Sequence, residues 1–506
     1  MLTRILFFAL CVVFLAAPAF GEPKVSSDTA ECLACHANST PGVVADWQRS
    51  RHAQVTPDEA LKKPALGRRI SVTKAPDKLN ATVVGCAECH VSNSKKHKDA
   101  FDHNGAQVHV VVTPEDCAVC HPTEMNQYGK NLMSHAHINL ARNPLYQDLV
   151  KSINGVPTFK DMKVSVEAPD AETNAESCYH CHGTVIEVTG TVTRQTKDGD
   201  MEFPVLSGWP NQGVGRINPD GSLGSCTSCH ARHQFSITMA RKPYTCSQCH
   251  KGPDVPAYAV YQVSKHGNLF SSVGSEWNMS AVPWTVGKDF TAPTCAACHV
   301  SLLTNASQET IVERTHQMND RNSWRLVGLG YAHAHPKSPD TSIIRNKAGL
   351  SLPTELTGEP AGTYLISPAE QFARLRVMKK VCNSCHSRGW VDKHFDRLDN
   401  TVDKTNKSTL AATQILLTAW DRGAAKGPAQ GDSMFNEAIE KKWVEQWMFY
   451  ANSTRFASAM AGADYGVFQR GRWDMAKDIE EMVDWLKFKL NDKSNHETLD
   501  KQTGTK

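Results

Sequence analysis

Residues 218–254 read Asn218-Pro-Asp-Gly-Ser-Leu-Gly-Ser-Cys226-Thr-Ser-Cys229-His230-Ala-Arg-His233-Gln-Phe-Ser-Ile-Thr-Met-Ala-Arg-Lys-Pro-Tyr-Thr-Cys246-Ser-Gln-Cys249-His250-Lys-Gly-Pro-Asp254. Two copies of Cys-x-x-Cys-His lie in this stretch. Two thiols three residues apart can bond the two vinyl-derived carbons on one haem edge, and the histidine that follows then lies under the iron. The pattern recurs at Cys32/Cys35/His36, Cys86/Cys89/His90, Cys117/Cys120/His121, Cys178/Cys181/His182, Cys295/Cys298/His299 and Cys382/Cys385/His386. Of the 17 cysteines, only Cys11 lies outside these motifs. A thiol redox pair needs no trailing histidine, and a zinc ribbon pairs its motifs without one after each. The expectation is eight covalent haems c, with the sixteen cysteines as attachment points and the eight trailing histidines as iron ligands.

Outward from the motifs, the chain begins with Arg4, an apolar run from Ile5 to Ala17, and small residues around Ala19 and Gly21. That is the pattern of a signal peptide over residues 1–21, and its apolar run is short for a membrane span. An exported, periplasmic protein without a membrane span is expected. The formal charge is +3. Eight haems would add roughly sixteen propionate charges, so many Lys and Arg residues are expected as propionate partners, and nucleic-acid binding has no support.

The motifs run from residue 32 to 386 without a long linker, which suggests a haem-binding unit over 22–400 and a haem-free helical segment over 401–506. A core built on porphyrin faces leaves little place for sheet, so the expected fold is mainly α. Thr184 to Val205, with Asp198-Gly199 as its turn, reads as a local β-hairpin. Helices are expected over Lys404–Ala424, Asp432–Tyr450 and Trp473–Leu490. The last carries Ile479, Met482, Val483, Leu486 and Leu490 on one stripe, suited to core packing or to a subunit contact.

Fourteen of the 22 histidines lie outside the motif endings. A relay haem takes a second axial side chain, whereas a catalytic haem leaves that position open. Sequence context favours His52, His109, His135, His233, His266 and His316 as distal ligands. A seventh is left open among His103, His335 and His394. His97 and His496 lie in charged stretches and read as solvated.

The stretch quoted above, with Ser264-Lys-His-Gly-Asn268, Cys178-Tyr-His-Cys-His-Gly-Thr184 and Ala292-Pro-Thr-Cys-Ala-Ala-Cys-His299, resembles the octahaem hydroxylamine oxidoreductase family. The resemblance covers nearly all of the chain after residue 21. It implies a homotrimer with the catalytic haem on Cys178, Cys181 and His182. In the ammonia-oxidiser enzymes of that family, a tyrosine of the neighbouring subunit is cross-linked to this haem; relatives without the link run reductively. Family members often carry Asp-His after Gly-Pro, where this chain has Asp254-Val255. Its tyrosine region, 461–473, holds Tyr465 alone and ends in Trp473. Asp254 and Tyr465 are therefore the candidate catalytic residues, and the departures resemble the reductase-like branch. The expected substrate is a small inorganic nitrogen compound, with nitrite or hydroxylamine going to ammonium favoured over hydroxylamine oxidation. The expected redox partner is another exported cytochrome or a quinone oxidoreductase. A non-catalytic electron conduit and an enzyme of sulfur oxyanions are the alternatives.

Overall fold

The computed structural model describes residues 24–196, 199–462, 466 and 468–503, with backbone alone at 469 and 493–503. The expected signal peptide, Asp198 and Tyr465 lie outside the described residues.

The fold is mainly helical. Strands among the described residues form only small sheets: hairpins of Ala100–His103 with Ala106–His109, Val156–Lys160 with Lys163–Glu167, and Glu187–Thr196 with Gly199–Ser207, plus one three-stranded patch. The third hairpin is the one expected from alternation in the sequence. Its strands pair from Glu187 against Ser207 to Thr196 against Gly199.

The C-terminal third is a helical bundle. Helix Arg388–Asp421 has 34 residues and starts well before the expected Lys404, so residue 400 lies inside it. Helix Ala438–Val444 runs through a π-helical turn, Glu445–Ala451, into Asn452–Met460, and the last helix is Asp474–Thr503. Leu416, Met434, Phe435, Ile439, Trp443 and Met482 are fully buried in one cluster, with Ile479 and Leu486 of the expected stripe against it. Leu145 and Leu149 of helix Pro144–Asn154 join the same cluster. The bundle therefore braces the segment that leads into Cys178. No described helix is long and apolar enough to cross a membrane.

Candidate haem centres and active site

The motifs fold largely as single helical turns. Cys86–His90, Cys178–His182 and Cys295–His299 are five-residue helices, and the first motif lies within helix Ser27–Ser39. Positions i, i+3 and i+4 share one helix face, so both thiols and the imidazole are presented together. Neighbouring motifs are tied by their caps. Glu88 takes the Gly85 amide at 2.8 Å and the Thr29 hydroxyl at 2.7 Å, joining the first two.

The thiols order the motifs in space. Cys117 and Cys226 are close enough to influence each other's ionisation, as are Cys181 with Cys249 and Cys246 with Cys295. Weaker charge effects join Cys32 to Cys86, Cys89 to Cys120, Cys229 to Cys246 and Cys298 to Cys382. The motifs thus form one series, with the fourth attached beside the sixth.

Five motif histidines face a second imidazole. Ring centroids are 6.1 Å apart for His36 and His103, 6.3 Å for His52 and His121, and 6.4 Å for His90 and His233. They are 6.5 Å apart for His230 and His316 and 6.1 Å for His266 and His386. Two metal–imidazole bonds of about 2 Å on opposite sides of one ion put ring centroids roughly 6 Å apart. Burial pushes His52, His230 and His316 down to about 4, so these rings are neutral, as ligation requires. Among the described residues, the ring pairs of this spacing do not include His182, His250 or His299.

Other histidines depart from expectation. His109, expected as a ligand, donates from Nε2 to the Ser92 carbonyl at 2.9 Å, although its ring lies 6.0 Å from His90. Its own carbonyl accepts from His90 Nδ1 at 2.8 Å, and the ring that faces His90 with no such bond is His233. His97, expected in solvent, is buried between the carboxylates of Asp99 and Asp116. Three lysines around it in sequence misdirect the reading; two acids bury it. His135 does not depart: its Nδ1 bonds the Ser134 hydroxyl at 3.0 Å, which leaves Nε2 for a metal. His394 accepts from Arg397 at 2.9 Å, and His335 donates to the Trp324 carbonyl at 3.0 Å. His103, left open in the sequence, is the ring opposite His36.

Around the fourth motif, His182 donates from Nδ1 to the Ala136 carbonyl at 3.2 Å, which leaves Nε2 for a metal. Asn154 lies 3.7 Å from the Cys178 sulfur. The Asp254 carboxylate is near enough to act on His182, Cys178, Cys181 and His250. Its backbone carbonyl accepts from Asn452 at 3.0 Å, which ties the loop to the bundle. Gly252 makes the turn before it at φ +80°, where a side chain would press on Pro256. Sequence reasoning missed Asn154 and Asn452, which no motif marks.

Cysteines from every motif but the first, with the motif histidines of the third to the eighth, line one continuous cavity of about 2610 Å³. A pocket for one small ligand holds roughly 300–1,000 Å³. Paired neutral imidazoles beside paired thiols, around a space this large, fit several covalent haems.

The first motif departs from this enclosed pattern. Cys35, expected as an attachment point like the other fifteen, is exposed, and neither it nor Cys32 nor His36 lines the cavity. The physical reason is its place in the fold. Helix Ser27–Ser39 stands at one end of the series of motifs and carries a single buried residue, Thr29, so the face that bears Cys35 is open to solvent. A haem held there would sit at the surface, between this helix and the hairpin that supplies His103, rather than within the common space. Cys385, at the other end of the chain of motifs, is also exposed, but it does line the cavity.

Comparison with known proteins agrees. Residues 220–322 match the family described as "Seven times multi-haem cytochrome CxxCH", and residues 30–114 match "Cytochrome c554 and c-prime". A solved structure described as a hypothetical multiheme protein is 42% identical, with a TM-score of 0.86 over 93% of this chain and 97% of that one. A reducing HAO-like protein complex of Kuenenia stuttgartiensis is 17% identical and shares the fold, with a TM-score of 0.61 over 94% of this chain and 90% of that one. A probable nitrite reductase-hydroxylamine oxidoreductase fusion protein of the same organism is 22% identical over 423 residues, 79% of this chain. The chain spans 39% of that protein's length. With these likenesses added to the motifs and their geometry, the chain belongs to the multihaem c-type cytochromes with the hydroxylamine oxidoreductase-like fold.

Proposed function

We propose that this is an exported octahaem cytochrome that reduces a small nitrogen oxide or hydroxylamine at an open haem on Cys178, Cys181 and His182. The observation that carries the reading is the placement of Asp254 among those three residues and His250. A haem held by Cys178, Cys181 and His182 would supply the redox-active iron. The protein supplies the rest. The Ala136 carbonyl fixes the His182 tautomer. Asn452 holds the Asp254 loop by its backbone, leaving the carboxylate to carry protons to the substrate. Breaking an N–O bond reductively consumes protons, so a carboxylate at this place has a task.

The series of motifs supplies the electron route, with the sixth as the neighbour of the fourth. Electrons from outside would enter at an end of the series, at the first or the eighth motif, where Cys35 and Cys385 are exposed. Nitrogen chemistry is supported by the likeness to the nitrite reductase-hydroxylamine oxidoreductase fusion protein, and the reductive direction by Val255 and Trp473 in place of the oxidative pattern. Electrons would come from another exported cytochrome or a quinone oxidoreductase.

The test combines three measurements on one preparation. Pyridine haemochrome with intact mass should give eight haems per chain. Carbon monoxide should bind one haem of the reduced protein. Reduction of nitrite or hydroxylamine to ammonium by an artificial donor should outpace hydroxylamine oxidation. Eight haems that bind no carbon monoxide would make the protein an electron conduit and sink the enzymatic reading.

A further inference from the structure

His97, Asp99, Asp116 and His109 form a buried group between the second and third motifs that has no part in the reaction proposed above. His97 is 5% exposed, while Asp99 and His109 are fully buried. His97 Nδ1 lies 3.3 Å from Asp99 Oδ1, and its Nε2 lies 3.2 Å from Asp116 Oδ2. Burial alone would lower its pKa, but the Asp116 and Asp99 carboxylates outweigh burial and hold it at about 9. The ring is therefore an imidazolium at neutral pH. It stacks on His109 with centroids 3.5 Å apart and planes 9° from parallel.

A cation site is the first alternative, since His97, Asp99 and His109 present ligand-type atoms close together. The geometry opposes it. Both His97 nitrogens are committed to carboxylates, and the in-plane lone pairs of two parallel stacked rings do not converge on one ion.

What the group does hold is backbone. Asp99 Oδ2 accepts from the Val110 amide at 3.0 Å and the Val111 amide at 2.9 Å. His109 donates to Ser92 at 2.9 Å. Pinned on both sides, the His109 carbonyl accepts the His90 Nδ1 proton at 2.8 Å. A partner on the far nitrogen of a ligating imidazole fixes its tautomer and raises its basicity.

We propose that His97, Asp99 and Asp116 are positioning residues that hold the His109 carbonyl on His90 and set the reduction potential of the haem on Cys86 and Cys89. This rests on the reading of His90 as an iron ligand. Two carboxylates and one imidazolium leave one net negative charge beside an iron that is one unit more positive when oxidised. In a buried, weakly screened setting that charge favours the oxidised state.

The sign of the effect follows. His97→Gln leaves both acids uncompensated and lowers the potential. Asp99→Asn and Asp116→Asn each remove a negative charge and raise it, with the remaining carboxylate still paired to His97. The expected size is about tenfold in the reduced-to-oxidised ratio of that haem, or about 59 mV for a one-electron couple. The experiment is an EPR-monitored redox titration of the holoprotein and the three variants, with haem content measured on each sample. One low-spin haem should move, in opposite directions for His97→Gln and the two Asp→Asn variants. If His97→Gln does not accumulate, the two Asp→Asn variants carry the test. With the full haem complement present, unmoved potentials or shifts of one sign in all three variants would overturn the clamp alone. Wild-type protein without a haem at Cys86 and Cys89 would overturn the attachment reading, and the clamp with it.

Discussion

At Asp254, the side chain and the backbone have separate tasks. The loop is held by the Asp254 carbonyl on Asn452 and by the left-handed turn at Gly252, neither of which uses the carboxylate. Asp254→Asn should therefore leave the loop and the haem content intact. It should cut nitrite or hydroxylamine turnover at least tenfold, about 1.4 kcal/mol in the barrier. Steady-state rates beside a haemochrome assay check this, and near-wild-type turnover would reduce Asp254 to a loop residue. The motifs were legible in the sequence because their chemistry is local: the Cys-x-x-Cys-His spacing serves one helical turn. Asp254 was marked only by the family resemblance, since an acid after a Gly-Pro turn serves equally well to cap the loop. Spacing says nothing of enclosure, so the exposure of Cys35 was not legible beside the shared cavity of the later motifs. The opposing histidines were less legible, since His90 meets His233 and His36 meets His103 across distant parts of the chain. His109 lies 6.0 Å from the same His90 ring and commits Nε2 to Ser92, while its buried Nδ1 has no hydrogen-bond partner.

Among the elements, the helix Arg388–Asp421 shows where sequence patterning runs out. Its second half carries Leu416, Ala412 and Ala419 and was expected; its first half is rich in charge and was not. Yet Val391, Phe395, Leu398 and Val402 recur there at helical spacing, all buried. Thr401, Thr405, Thr409 and Thr413 line a further buried row. Thr405 returns its hydroxyl to the Thr401 carbonyl at 2.9 Å, and Thr413 to that of Thr409 at 2.8 Å. Such bonds satisfy hydroxyls inside a helix that propensity alone would not favour. Thr413 also accepts the Trp443 indole proton at 2.8 Å, which fixes the crossing of the two helices. Leu416 is fully buried where these helices meet Leu145 and Leu149. Leu416→Ala should cost roughly 2–5 kcal/mol. Urea unfolding followed by far-ultraviolet circular dichroism reads the cost, and a change under about 1 kcal/mol would show that the bundle collapses into the gap. Haem content should not change, because thioether bonds to the motif cysteines survive a loss of packing.

For the whole molecule, the arrangement of motifs conducts electrons equally well either way, so direction must be set at the fourth motif and its surroundings. An oxidative enzyme of this family joins a neighbouring tyrosine to the catalytic haem. Tyr465 is the candidate here, and the residues that flank it bear on the question. Phe468 is 83% exposed and Trp473 is 64% exposed, an unusual state for large aromatic rings and one suited to burial against another subunit. A homotrimer that closes over this surface would bring residues 461–473 to a neighbour's active site without requiring a covalent bond. If Trp473 rather than Tyr465 occupies the linking place, no bond can form. The native protein should then run as a trimer in size exclusion with light scattering, while protein boiled in detergent should run as a monomer with its haems attached. The long-wavelength band of a tyrosine-modified haem should be missing from the reduced spectrum. Mass spectrometry should find peptides containing Tyr465 and Cys178 separately. A covalent trimer, or one peptide joining those two residues, would reverse the assignment to hydroxylamine oxidation. A native monomer would instead remove the subunit contact and leave the two aromatic rings to some other partner.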